Sequence, residues 1–128
     1  MAAESTSPRS GFVERRKNPR IFFEHFGTLT PREGHPGECY IVNLSRGGCM
    51  AYFSDSVHTG DAIVVSFSAG DRTFSREAVV RSERNFTHLR RYILQIGKKL
   101  DFTTVLNISF DEPLDTTDFG YISLNHIE

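Results

Sequence analysis

Tryptophan is missing from this chain of 128 residues, and cysteine and methionine occur only twice each. No apolar run approaches the ~20 residues that a membrane-crossing helix needs, which excludes helical membrane insertion. The opening stretch Met1 to Ser10 lacks the apolar centre of a secretory signal. Cys39 and Cys49 are therefore expected as reduced thiols in a cytoplasmic protein rather than as a disulfide. Neither belongs to a CxxC pair, and His25, His35, His58, His88 and His126 have no close metal-ligand spacing. No metal and no cofactor are expected. A GxSxG elbow and a Walker loop are also absent, and no paired carboxylates accompany the polar motifs described below, so the expectation is a binding protein and not an enzyme. Lysine and arginine stop at Lys99: residues 1–100 carry 15 basic and 10 acidic side chains, whereas residues 101–128 carry six acids and no Lys or Arg. A basic body with an acidic ending suits an anionic ligand on the body.

What is present is a Phe-rich chain, with eleven Phe, patterned for strands. Residues 1–10 are Ser/Thr/Ala/Pro-rich and read as a disordered tail. A basic arm over residues 11–20 leads into Ile21–Leu29, a first strand. Cys39–Leu44 and Cys49–Phe53 follow, separated by a polar turn. Ile63, Val65 and Phe67 alternate, and Ala69-Gly70-Asp71 joins them by a tight hairpin to Arg72–Arg84, where Phe74, Ala78 and Val80 share a face. Arg91–Leu100 alternates again. Many short strands without a long helical period predict an all-β antiparallel barrel or sandwich. Leu106, Ile108 and Phe110 alternate as well, but Pro113 interrupts them, and residues 119–127 fit either a further strand or a short helix. We place the domain at 11–102 and treat 103–128 as an acidic extension packed on the barrel.

Two polar motifs stand out. Arg16-Lys17-Asn18-Pro19-Arg20 is RxxxR, with Arg15 ahead of it, and Asn43-Leu44-Ser45-Arg46-Gly47-Gly48 is NxSxxG. An arginine fork can grip a paired acceptor edge or a phosphate bidentately, and its flat guanidinium can stack on a ring. Asn43 and Ser45 offer side-chain oxygens as acceptors, and as residues i and i+2 of a strand they would share a face. Gly48 suits a positive φ or a close ligand approach, and Gly47 adds freedom.

In this order and setting the pair resembles the signature of the PilZ family, receptors for the bacterial messenger cyclic di-GMP. Gly60-Asp61 opening a strand and Ile96-Gly97-Lys98-Lys99-Leu100 extend the resemblance to about residues 14–102. The resemblance implies a six-stranded antiparallel barrel with a flexible N-terminal arm. It further implies that Arg15, Arg16, Arg20, Asn43, Ser45 and Gly48 bind cyclic di-GMP, with Lys17, Arg46, Gly47 and Gly97 as further contacts. An arginine at position 15 implies an intercalated ligand dimer. Output would pass through a protein effector to motility, biofilm or polysaccharide control; the alternative is a degenerate module that keeps the fold and binds no nucleotide. A third reading, a nucleic-acid patch on Arg81, Arg84, Arg90 and Arg91 with Phe86 and Tyr92, is disfavoured by Glu83 and the low net charge, so no nucleic acid is expected as a partner.

Overall fold

The computed structural model describes residues 19–54, 57–85 and 102–126. Six strands, β1 (Ile21–Pro31), β2 (Gly37–Leu44), β3 (Gly48–Phe53), β4 (Ala62–Ala69), β5 (Arg72–Asn85) and β6 (Thr104–Phe110), precede one helix, α1 (Thr116–Asn125). All neighbours pair antiparallel, and the sheet closes on itself in the order β1-β2-β3-β6-β5-β4. Closure removes the exposed edges that an open sheet would leave.

The alternation that marked the strands also sorts their side chains. Ile63, Val65 and Phe67 of β4, Phe74, Ala78 and Val80 of β5, and Leu106, Ile108 and Phe110 of β6 all enter one buried core. The hairpin between β4 and β5 turns at Gly70, whose φ of +60° is the left-handed geometry that such a short turn requires. A second, external cluster of Tyr40, Val42 and Phe102, flanked by Phe26, Met50 and Tyr52, lies apart from the interior core.

The C-terminal stretch needs a correction. Thr104–Phe110, placed by the sequence in an extension, pairs with both β3 and β5 and is the strand that completes the barrel. Without it, β3 and β5 would each carry an open edge. Arg91–Leu100, read as a strand, lies outside the described residues. Beyond Pro113 the chain forms a helix: Asp115 accepts from the Asp118 amide at 2.7 Å as N-cap. Leu114 and Ile122 are fully buried in the barrel core. Polar contacts fix the helix outside: Asp118 pairs with Arg72 at 3.0 Å and Arg76 at 3.7 Å, and the Tyr121 hydroxyl donates to Asp71 at 2.7 Å. At the other end of the helix, His126 stacks on Phe23 and its carbonyl accepts from His25 Nε2. Among the described residues no helix is long and apolar enough to cross a membrane.

Candidate functional site

The site is built where the start of β1 meets the end of β2. Ile21 pairs with Leu44 and Phe22 with Asn43, so the residue before β1, Arg20, arrives beside the polar turn. Its guanidinium Nη1 donates to Asn43 Oδ1 at 2.8 Å. The two motifs, 23 residues apart, are thereby in direct contact.

Asn43 faces out because β2 contains an irregularity. Cys39 and Ile41 point into the core, so strict alternation would send residue 43 inward with them. Register with β3 instead shifts between Ile41 and Asn43, leaving Val42 as an extra residue. Val42 joins the external cluster, Leu44 enters the core, and Asn43 is left half-buried opposite Met50. Re-aiming one side chain in this way is a common use of β-bulges. β1 has its own register shift between Phe22 and His25, with Glu24 at φ +56°.

Ser45 lies one residue past the end of β2, so strand geometry does not orient it. It is 6% exposed; its amide donates to the Gly48 carbonyl at 2.8 Å and its hydroxyl donates to the same oxygen at 3.3 Å. The side chain closes the turn. Gly48 is buried and its φ is not positive. Its lack of a side chain answers to the barrel: an added Cβ would stand 2.0 Å from the Ile108 carbonyl oxygen on β6. Gly47 is also outside the left-handed region, and its carbonyl accepts from Phe110 N–H at 2.8 Å. Arg46 turns away from the Arg20–Asn43 pair to donate from Nε to the Leu114 carbonyl at 2.7 Å.

Arg15, Arg16, Lys17 and Gly97 lie outside the described residues, as do Phe86, Arg90, Arg91 and Tyr92 of the basic-aromatic patch. Glu83, which interrupts that patch, receives the Thr59 amide at 2.8 Å and lies 3.3 Å from His58 Nδ1. One residue at the site escaped the sequence reading. Phe22, the partner of Asn43 in register, is 75% exposed, whereas Phe23 is 1% exposed. The signal was available, since two adjacent Phe on one strand cannot both face the core.

A cleft of about 420 Å³ between Thr30–Arg32, Ala62–Val64 and Asp111 lies away from these motifs, and Glu77 and Asp111 in its walls oppose an anion. Among the described residues no group of three His, Cys, Asp or Glu could hold a metal.

Comparison with known proteins bears on the family and the fold. The family model described as PilZ domain matches residues 14–111, from ahead of the first motif to the end of β6. The chain belongs to the PilZ family. Among solved structures, this PilZ domain resembles the PilZ domain with c-di-GMP of YcgR from Escherichia coli. The TM-score is 0.56 at 18% identity, over 85% of this chain and 86% of that one. The structure of Bacillus subtilis Inhibitor of motility (MotI/DgrA) gives a TM-score of 0.57 at 17% identity, over 86% of this chain and 49% of that one. The chain thus spans about half the length of the latter protein. Both likenesses concern the fold. A search of curated protein sequences gives no match.

Proposed function

We propose that this PilZ domain is a cyclic di-GMP receptor without catalytic activity, reading the nucleotide at the junction of its two motifs. The observation that carries the proposal is the 2.8 Å contact between Arg20 and Asn43 on the outer face of the barrel. A guanidinium and a carboxamide side by side present donors and an acceptor complementary to a guanine edge. The structurally similar YcgR domain was solved with c-di-GMP, which supports the same ligand class here. Arg15, Arg16 and Lys17 precede Arg20 in sequence and would supply charge for the phosphates. In this reading the nucleotide changes the conformation of the segment over residues 11–20, and a protein effector in a motility, biofilm or polysaccharide system reads the change. Arg15 favours two ligands per chain.

A second reading has its own support. Ser45 closes a turn and Gly48 admits a neighbouring strand, so part of the second motif would be needed even in a domain blind to nucleotide. Such a module would act through protein contacts alone.

Calorimetric titration with cyclic di-GMP decides between the two. The receptor reading expects micromolar or tighter binding that Arg20→Ala and Asn43→Ala each weaken at least about tenfold, the equivalent of 1.4 kcal/mol. Absence of heat with the wild-type protein would leave the nucleotide-blind module. The same isotherm gives the stoichiometry.

A further inference from the structure

Phe22 departs from the pattern of every other Phe described. Phe23, Phe53, Phe67, Phe74, Phe102 and Phe110 are at most 5% exposed, Phe26 packs against the external cluster, and the half-buried Phe119 packs against the interior core. Phe22 is 75% exposed and belongs to neither cluster; among the described residues Leu124, on α1, is the other large hydrophobic side chain left in solvent. Its position is specific. It pairs in register with Asn43, and directly opposed residues of an antiparallel pair have Cβ atoms ~5 Å apart. Arg20, two residues earlier, donates to that same Asn43 side chain. A flat apolar ring therefore stands beside a hydrogen-bonding amide and a guanidinium.

We propose that Phe22 is a stacking platform for a guanine base of the bound nucleotide. This rests on the receptor reading and adds to it a residue outside both motifs. Every base has a π-face that an aromatic ring can cover, and the edge of the same base remains free for Arg20 and Asn43. One ring bordered by polar side chains is far smaller than the ~800 Å² per partner of a standard protein interface, but it matches the face of a purine. Phenylalanine also brings few rotatable bonds to be fixed on binding, which suits a reversible ligand.

The absence of tryptophan from the chain supplies the test. Phe22→Trp becomes the only indole, and stacked guanine quenches indole emission. The expected result is quenching by cyclic di-GMP with the midpoint of the calorimetric isotherm. Glu33→Trp, in the exposed loop after β1 and at the opposite end of that strand, should show none. Phe22→Ala and Phe22→Leu should both weaken binding, by about fivefold to 150-fold, with unchanged melting temperature. Leucine keeps apolar bulk without a π-face, so equal binding by Phe22→Leu and wild type would overturn stacking. Wild-type affinity in Phe22→Ala, or an unquenched indole in a Phe22→Trp protein that still binds, would overturn it too. If the wild-type protein itself binds no cyclic di-GMP, the receptor reading falls and this inference with it.

Discussion

Arg46 and Leu114 hold one another by two hydrogen bonds. The Arg46 guanidinium Nε donates to the Leu114 carbonyl at 2.7 Å, and the Leu114 amide donates to the Arg46 carbonyl at 2.8 Å. Arg46 belongs to the turn carrying the second motif, and Leu114 is the fully buried residue that precedes the N-cap of α1. With Gly47 accepting from Phe110, the turn fixes both ends of the segment joining β6 to the helix. A change at the turn is thus felt at the helix through backbone contacts.

Replacing Arg46 tests the strength of that link. Arg46→Ala removes a charged donor and leaves the Leu114 carbonyl without its side-chain partner, a loss of about 1–3 kcal/mol. Urea unfolding should show a lower midpoint with an unchanged slope. A variant as stable as wild type would mean that water replaces the guanidinium without loss.

Two glycines should respond in opposite directions. Gly48→Ala forces a Cβ against the backbone of β6, where no flexible side chain can yield; we expect a loss of about 3 kcal/mol or more. Gly120 lies inside α1 with no atom within 4 Å of the would-be Cβ. Gly120→Ala should stabilise by about 0.5–1 kcal/mol through helix propensity. Thermal melts of the two variants beside wild type check both signs.

The sequence exposed the strands whose apolar residues alternate strictly, such as Ile63-Val-Val-Ser-Phe67, because period two has one structural meaning. It concealed the Val42 bulge: Cys39-Tyr-Ile-Val-Asn-Leu44 is nearly continuous in apolar residues, so no interruption marks the extra residue, yet that residue turns Asn43 outward. The role of Gly48 was equally hidden, since a strand from 60 residues further along the chain imposes it. The helix was ambiguous because Thr116, Thr117 and Gly120 are poor helix formers and few of its side chains are buried. Asp115 and Asp118 after Pro113 were the usable start signal. Contact between the two motifs could be anticipated only through the family resemblance; its geometry depends on the pairing of β1 with β2.

The thiols should be inert until the barrel opens. Burial pushes the Cys39 thiol up to about 12 and the Cys49 thiol higher still, and the thiolate is the reactive form. At pH 8 the native protein should react with a disulfide reagent only as fast as it unfolds, and both thiols should react promptly in urea. Fast native reaction of either cysteine would contradict its burial in the core. The raised values also fix a sign: the neutral thiols contribute stability below the unfolded pKa of about 8.5, and that contribution is lost as pH rises towards 12.

Tyr121 adds a second alkaline effect. Its hydroxyl donates to the Asp71 carboxylate, and this hydrogen bond holds the phenol pKa above its usual value; the neighbouring Asp71 charge acts in the same direction, while the Asp71 amide, donating to the phenol oxygen at 3.4 Å, and Arg72, 4.8 Å over the ring, oppose it. Ionisation would remove the donated proton and set a phenolate against a carboxylate. The folded pKa being raised, the contact contributes fully below the unfolded value of about 10 and is lost as pH climbs through the folded one. The difference between the wild-type and Tyr121→Phe tyrosinate absorbance titrations isolates this single group among the four tyrosines. Its midpoint should lie above 10. In the same window, wild-type stability should fall more steeply than that of Tyr121→Phe, which has no proton to lose there. A midpoint at or below 10, with parallel stability curves, would mean that the Tyr121–Asp71 bond does not hold α1 to the β4–β5 hairpin in solution, and that the Arg72–Asp118 pair and the buried Ile122 dock the helix unaided.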